Sequence, residues 1–213
     1  MQSLFSTIIR EISLYVAAGL LLWFGISMLV VSLKPGEDIY SINGNDIEKG
    51  MHITGDIDFA YDYYASQSDE RQVLGITTST VDDTGRWYII PIYGENYDDT
   101  KMITVRVNPK DYAAMEKVVD NTWAYLYGET DTYGQDVYTI DARVIKLDDE
   151  LHQYYYDWYG RGYEAEADQY LVPYILVPTV SPWISGVLVL FGVLLLALAV
   201  ISTVRLFLLG ERN

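Results

Sequence analysis

The sequence predicts an α+β domain, built mainly on an antiparallel sheet with about two helices, between two transmembrane α-helices. Two 22-residue runs without a charged side chain, residues 12–33 and 183–204, flank the middle of the 213-residue chain. Between them, apolar residues recur at every second position in several stretches and at helical spacing in two others. The first period is typical of half-buried strands and the second of amphipathic helices.

Both apolar runs are long enough to cross a bilayer. A helix of 22 residues reaches roughly 33 Å, and the hydrocarbon core is about 30 Å thick. A cleaved signal peptide is the alternative for the first run, because Arg10 precedes it and residues 30–32 end it with small side chains. Signal peptides have shorter apolar stretches of about 7 to 15 residues, so we favour an uncleaved anchor. For the second run we leave open an extension to residue 209.

The segment between the runs, residues 34–182, is strongly acidic. Removing Arg10, Arg205 and Arg212 from the 14 Lys and Arg leaves 11. Removing Glu11 and Glu211 from the 30 Asp and Glu leaves 28, so the segment carries a net charge of −17. A surface this acidic repels phosphate backbones, so we expect no nucleic acid among its partners.

Basic residues near the two runs indicate the orientation of the chain. Arg10 lies before the first run and Arg205 with Arg212 after the second, whereas Lys34 alone lies inside, beside the first run. Cytoplasmic flanks are enriched in Lys and Arg. We therefore expect a plasma-membrane protein with both termini in the cytoplasm and the acidic domain outside. The predicted segments are a tail, a span, the outer domain, a span and a second tail, at residues 1–11, 12–33, 34–182, 183–204 and 205–213.

The sequence gives no indication of a metal site or of a disulfide. The chain has no cysteine, which excludes disulfides and Cys-ligated metals and is typical of an exported bacterial domain held together by its core. His52 and His152 are isolated. Residues 128–136 alternate oxygen-bearing side chains like a calcium loop, but Tyr133 and Ile140 occupy positions that an EF-hand fills with ligands. We expect no cofactor and no metal.

Five stretches of the domain have the composition and period of strands: residues 52–64, 72–81, 85–93, 101–107 and 137–146. The second and third are predicted to form a hairpin whose turn contains Asp82, Asp83 and Gly85, with Gly85 supplying a positive φ. Residues 170–178 form an apolar run interrupted by Pro173 and Pro178, which favours an edge strand or an extended lead into the membrane.

Two helices are predicted from start signals and helical spacing. Asn108 can cap the first helix, Pro109 suits its first position, and Gly128 ends it. Asp148 or Asp149 begins the second.

The second helix carries an aromatic stripe. The stripe consists of Leu151, Tyr154, Tyr155, Trp158 and Tyr159, and its spacing predicts a face that packs on the sheet.

Three neighbouring residues fall off this stripe: Tyr156, Arg161 and Tyr163. They are the candidate surface for a ligand, a partner or the lipid headgroups.

One triplet resembles a catalytic motif. Asp83, Thr84 and Gly85 spell the aspartic protease signature, in which two such loops share a proton between paired carboxylates. Asp82 precedes it where an apolar residue is expected, Arg86 follows where a small one is expected, and the triplet occurs once. We therefore favour a turn, and we expect no catalytic residues.

The arrangement resembles the uncharacterised two-span membrane proteins of Gram-positive, Firmicutes-type bacteria, which have an extracytoplasmic domain of unknown function. The resemblance covers the whole chain and rests on its layout and on runs such as GDIDFAYDYY and RWYIIPIYG. It implies no known activity and no functional residues.

Two functions remain open. In the first, the protein is not an enzyme, and its outer domain is a binding, sensing or scaffold module, alone or in a membrane complex. Nineteen of the 20 tyrosines lie in that domain, which suits a cationic or carbohydrate ligand at the cell surface. The alternative is a membrane-tethered hydrolase that uses Asp82, Asp83 or another carboxylate pair. A Tyr-lined face would favour the first, and carboxylates converging in a pocket would favour the second.

Overall fold

The computed structural model describes residues 2–73, 76–93 and 100–210, with side chains from residue 9 to residue 206 except at 69–82 and 94–99. The helices are α1 (Gln2–Leu33), α2 (Tyr112–Leu126), α3 (Asp149–Tyr159), α4 (Glu164–Tyr170) and α5 (Pro182–Gly210). The strands are β1 (Glu37–Asp38), β2 (His52–Ile57), β3 (Tyr63–Val73), β4 (Ile76–Ile92), β5 (Lys101–Val107), β6 (Tyr138–Lys146) and β7 (Leu171–Pro178). Two compact units result: residues 1–34 with 179–213, and residues 35–178.

The first unit is an antiparallel pair of apolar helices. Within them, Ile9–Leu33 and Pro182–Leu206 are long and apolar enough to cross a membrane, as the sequence predicts. The helices approach closely at two glycines. A Cβ on Gly25 would lie 2.9 Å from Val189 Cγ2, and one on Gly192 would lie 2.8 Å from Leu22 Cγ.

The second unit is a seven-stranded mixed sheet with helices on both faces. The strand order is β1-β2-β6-β7-β5-β4-β3. Four neighbouring pairs are antiparallel, and β1 with β2 and β5 with β7 are parallel. The mixed α and β composition confirms the prediction, but the domain contains a third helix, α4, that the sequence analysis did not predict.

The two faces of the sheet bury separate apolar cores. Alternate residues of β4 point to opposite faces, so Ile90 packs with Met115 of α2, whereas Ile89 packs with Tyr155 of α3 and Ala167 of α4. The domain therefore has three layers, with α2 on one face and α3 with α4 on the other.

The sheet is strongly coiled, so distant corners meet. Tyr40 follows β1 at one edge, and Tyr93 follows β4 near the other, yet their ring centroids lie 6.0 Å apart. The segment after β2 closes the corner, because the Tyr61 N–H donates to the Ile89 carbonyl at 2.8 Å. The right-handed twist between neighbouring strands accumulates over several strands and permits this closure.

The predictions for residues 52–64, 72–81 and 85–93 were wrong in extent, and the second of these stretches is divided, because β3 ends at Val73 and β4 begins at Ile76. The period-two pattern of residues 52–64 is divided between β2 and β3, and residues 58–62 cross between them. Residues 82–85 belong to β4 and do not form a hairpin turn. Gly85 has no positive φ, whereas Asp83 has φ 59°. The reason is a β-bulge. Gln67 pairs with Gly85 and Asp69 pairs with Val81, so two residues of β3 lie opposite four residues of β4.

Of the two alternatives for residues 170–178, the edge strand was wrong, because β7 lies at the centre of the sheet between β6 and β5; the segment is extended and precedes α5. Pro173 is tolerated there because it lies near the start of β7, beyond the end of the β6 ladder, whose last pair joins Lys146 with Tyr174.

Two of the three predicted helix ends agree with the structure, whereas the Asn108 side chain makes no capping hydrogen bond at the start of α2. The Asp148 side chain accepts a hydrogen bond from the Leu151 N–H and caps α3. Gly128, at φ 74°, ends α2 in a Schellman motif in which the Glu129 N–H donates to the Ala124 carbonyl. At the start of α2, Pro109–Asp111 forms a 3-10 turn before the α-helix begins at Tyr112.

Candidate functional site

The described domain contains an aromatic cleft of about 720 Å³. Six aromatic side chains line it: Phe59, Tyr61, Tyr93, Tyr125, Tyr133 and Tyr170. Pro91, Thr100, Met102 and Leu126 complete the described lining. The volume falls in the usual range of about 300 to 1,000 Å³ for small-molecule sites.

Five parts of the fold supply the aromatic side chains of the cleft, and one of them is the segment between α2 and β6, which carries Tyr133. Phe59 and Tyr61 come from the segment that crosses after β2, and Tyr93 follows the end of β4. Tyr125 lies on the last turn of α2, and Tyr170 ends α4. The coiling of the sheet therefore assembles the cleft from residues that are far apart in sequence.

Ring contacts hold the aromatic side chains in place. The Phe59 ring packs edge-on against Tyr61 at 5.5 Å and against Tyr133 at 6.0 Å. Tyr133 also contacts Tyr125 at 5.2 Å. Edge-to-face and tilted pairs at these distances are favourable for π-systems. Phe59 is buried and supports the other rings, whereas Tyr125 and Tyr133 are 38% and 50% exposed.

The described lining is electrically neutral. Among the ten described lining residues there is no Asp, Glu, Lys, Arg or His. Polar groups come from the phenol hydroxyls and from Thr100. The cleft combines ring faces with hydroxyls that both donate and accept hydrogen bonds.

The three residues predicted to form a surface site lie elsewhere. Tyr156 is half-buried on α3, and its hydroxyl donates to Asp168 Oδ1 at 2.7 Å. Burial, together with this hydrogen bond, raises the pKa of Tyr156 to about 12. Arg161 pairs with Asp157 at 2.7 Å, and Tyr163 is 61% exposed before α4. None of the three lines the aromatic cleft, and their role in binding stays a prediction.

The aromatic stripe of α3 is only partly buried. Leu151 and Tyr155 lie in the core, as predicted. Tyr154 and Trp158 are exposed, because they lie at the edge of the helix face that packs on the sheet. Trp158 contacts the rings of Tyr61 and Tyr155 at 6.1 and 5.9 Å, and therefore extends the aromatic cluster behind the cleft to α3.

The Asp83 carboxylate is engaged in an ion pair. Arg86 Nη2 donates to Asp83 Oδ2 at 2.7 Å, and Arg86 Nη1 donates to Glu116 Oε1 at 2.7 Å. The guanidinium lies between the rings of Tyr63 and Tyr112, 4.6 and 4.3 Å from their centroids. These contacts stabilise the bulge in β4. The side chain of Asp82, the other residue of the hydrolase hypothesis, lies outside the described residues.

The two histidines each contact one carboxylate. His52 Nε2 lies 2.9 Å from Asp141 Oδ1, and His152 Nε2 lies 3.0 Å from Asp168 Oδ1. Within the part of the chain that the structure describes, no group of three or more His, Asp or Glu side chains is arranged to hold a metal ion.

A polar cluster joins the two apolar helices. Glu11 accepts hydrogen bonds from Ser202 at 2.7 Å and from Thr203 at 3.4 Å, and Tyr15 contacts Thr203 at 3.2 Å. Hydrogen bonds of this kind stabilise helix pairs in a lipid environment. The sequence analysis placed Glu11 in a tail and did not predict this contact.

The cleft residues were also missed. Phe59 and Tyr61 were assigned to the interior of a strand, and Tyr125 was assigned to a helix without a role in a site. A usable signal was present, because Tyr93, Tyr125 and Tyr133 all stand at or beyond the ends of predicted elements, where a large aromatic side chain has no core to fill.

Comparison with known proteins identifies a family. A family model described as Domain of unknown function (DUF8577) matches residues 1–207. No curated protein and no solved structure matches the chain. The chain belongs to the DUF8577 family, which agrees with the resemblance to uncharacterised proteins; the bacterial group and the two-span layout remain predictions.

Proposed function

We propose that this DUF8577 protein is a two-span plasma-membrane protein whose outer domain binds a ligand in the aromatic cleft. Both apolar helices anchor the domain, both termini lie in the cytoplasm, and the domain itself is not an enzyme. The observation that carries the proposal is the cleft, a concave surface in which six aromatic side chains converge.

The membrane part of the proposal rests on the two apolar helices and their mutual packing. Most of the side chains in the apolar stretches of α1 and α5 are exposed within the chain. Exposed apolar surface of this extent is costly in water and favourable in lipid. The distribution of Arg10, Arg205 and Arg212 supports the cytoplasmic location of the termini.

The binding part of the proposal rests on the support of the rings. A tyrosine that only fills a core is buried, but Tyr93, Tyr125, Tyr133 and Tyr170 are 38 to 50% exposed on one concave surface. Rigid aromatic groups lose little conformational entropy on binding, so they are favoured at recognition sites. The acidic domain favours an uncharged or cationic ligand over an anionic one.

Observations on the described residues favour this function over the hydrolase. A hydrolase of the predicted kind needs two carboxylates near one bound substrate. The described lining of the cleft has none, and Asp83 is neutralised by Arg86.

Site-specific photocrosslinking in intact cells tests the proposal. A photoreactive phenylalanine analogue replaces Tyr133 in the cleft or, as a matched control, Tyr154, which is similarly exposed at 42% on α3. We expect an adduct of defined mass at position 133 and none at position 154. Equal labelling at both positions, or none at position 133, would contradict binding at the cleft.

A further inference from the structure

The chemistry of the aromatic cleft defines a class of ligand. We propose that the cleft binds an uncharged oligosaccharide at the cell surface. This inference rests on the proposed function of the cleft as a ligand site, and it goes further by naming what the ligand is.

The exposed rings of Tyr125 and Tyr133 offer aromatic surface to one face of a pyranose. The C–H groups on that face carry partial positive charge, and the face of an aromatic ring is negative, so the two stack favourably. Tyr125 and Tyr133 contact each other at an angle of 54°. Their ring planes therefore differ, and successive sugars of a bent chain can each meet a ring.

The polar groups of the cleft also suit a sugar. Every hydroxyl of an oligosaccharide both donates and accepts a hydrogen bond, as do the tyrosine and threonine hydroxyls. Thr100 and Tyr170 supply such groups beside the apolar surfaces of Met102 and Leu126. A sugar presents both hydrogen-bonding groups and an apolar face, and the cleft offers a counterpart to each.

Charge separates the oligosaccharide from the other ligand classes. A cationic peptide is best held by carboxylates, and none is present in the described lining. An anionic glycan is repelled by a domain with a net charge of −17. An uncharged chain needs no carboxylate in the lining and meets no repulsion from the acidic domain.

The structure provides an intrinsic reporter of occupancy. Trp123 and Trp158 lie 6.3 and 6.1 Å from the ring of Tyr61, which lines the cleft. A ligand that stacks in the cleft changes the surroundings of Tyr61 and of both tryptophans. Tryptophan emission can therefore follow binding without a label.

The experiment uses the full chain in lipid nanodiscs, because alkyl maltoside detergents would themselves present a sugar. Five uncharged hexasaccharides are titrated separately: malto-, cello-, manno-, xylo- and N-acetylchitohexaose. Hexalysine serves as the cationic probe and hexagalacturonate as the anionic one. Binding is measured by calorimetry and by tryptophan emission, in the wild type and in Tyr125→Ala, Tyr133→Ala and Tyr154→Ala.

We expect saturable binding of at least one uncharged hexasaccharide, weakened about tenfold in Tyr125→Ala and Tyr133→Ala and unchanged in Tyr154→Ala. Unchanged circular dichroism in the cleft variants shows that they fold. Failure of all five sugars to bind, or equal binding in all three variants, overturns the inference. If hexalysine alone binds and cleft substitutions weaken its binding, the oligosaccharide proposal is wrong but the cleft remains a ligand site. A photocrosslink from position 133 to a protein would likewise show a ligand site whose ligand is not an oligosaccharide.

Discussion

Arg86 binds the carboxylate of Asp83 within the bulge of β4, with Nη2 2.7 Å from Oδ2 and Nε 3.0 Å from Oδ1. Asp83 adopts φ 59°, a conformation that aspartate tolerates better than most residues. The Tyr112 hydroxyl donates to the Asp83 carbonyl at 3.0 Å and links the bulge to α2. The triplet Asp83-Thr84-Gly85, which resembles a protease motif, therefore has a structural role and connects the sheet to α2.

Replacing Asp83 by Asn should lower stability and change its pH dependence. The hydrogen bonds from Arg86 hold the pKa of Asp83 below its usual value. The stabilisation is present above about pH 4 and is lost as the pH falls through the lowered pKa of the folded state. We expect the unfolding midpoint of Asp83→Asn to be several degrees lower at pH 7 and to converge with the wild type in acid.

The matched control is Asp157→Asn. Asp157 also pairs with an arginine, but Arg161 is exposed, so the pair should contribute little. Thermal unfolding of the full chain between pH 2 and pH 7 measures both variants. Unchanged stability in Asp83→Asn at pH 7, with loss of cellular function, would promote the hydrolase instead.

Tyr155 should matter more to stability than Trp158. Tyr155 is fully buried, so Tyr155→Ala should cost about 3 to 5 kcal/mol of unfolding free energy. Trp158 is 37% exposed, and Trp158→Ala should cost about 1 kcal/mol.

The Tyr155 hydroxyl is buried and finds no hydrogen-bond partner among the described residues. Tyr155→Phe should accordingly be neutral or stabilising by up to about 1 kcal/mol. Chemical denaturation measures all three, and a marked loss of stability in Tyr155→Phe would reveal a bond to this hydroxyl.

The orientation can be tested with single cysteines, because the chain has none. Gln153 is exposed on α3, and a cysteine there should react with an impermeant maleimide on intact cells. A cysteine at Gln2 should react only after permeabilisation. The reverse pattern would invert the topology, and release of a domain lacking residues 1–32 would identify a cleaved signal.

Gly25 should be required for the packing of α1 against α5. A side chain there meets the backbone nitrogen of Val189 at 3.0 Å, whereas Gly19 has nothing within 4 Å. We expect Gly25→Leu to reduce crosslinking by a short bis-maleimide between cysteines placed at Tyr15 and Thr203, whose side chains are in contact across the pair, by about tenfold, and Gly19→Leu to leave it unchanged. Equal crosslinking in both variants would show that the helices pack differently.

The cleft illustrates why sequence analysis reached only part of the site. The aromatic richness of the domain and its acidity were visible in the composition, and both enter the proposed function. The convergence of Phe59, Tyr93 and Tyr133 was not visible in the sequence, because it depends on the corner where the coiled sheet closes. The period-two pattern of a strand indicates which side chains share a face of the sheet. It does not indicate which segments far away in the sequence will contact that strand.

The sequence by itself determined the features that depend on local composition and spacing. The two apolar helices, the strand Lys101–Val107, the Asp148 cap and the end of α2 at Gly128 are such features, since each depends on residues within a few turns of one another. Only the tertiary structure decided the central place of β7, the bulge at Asp83 and the aromatic cleft. These depend on pairing between segments far apart in the chain, where the free energy of burying shared surface overrides the local preferences of proline, glycine and tyrosine.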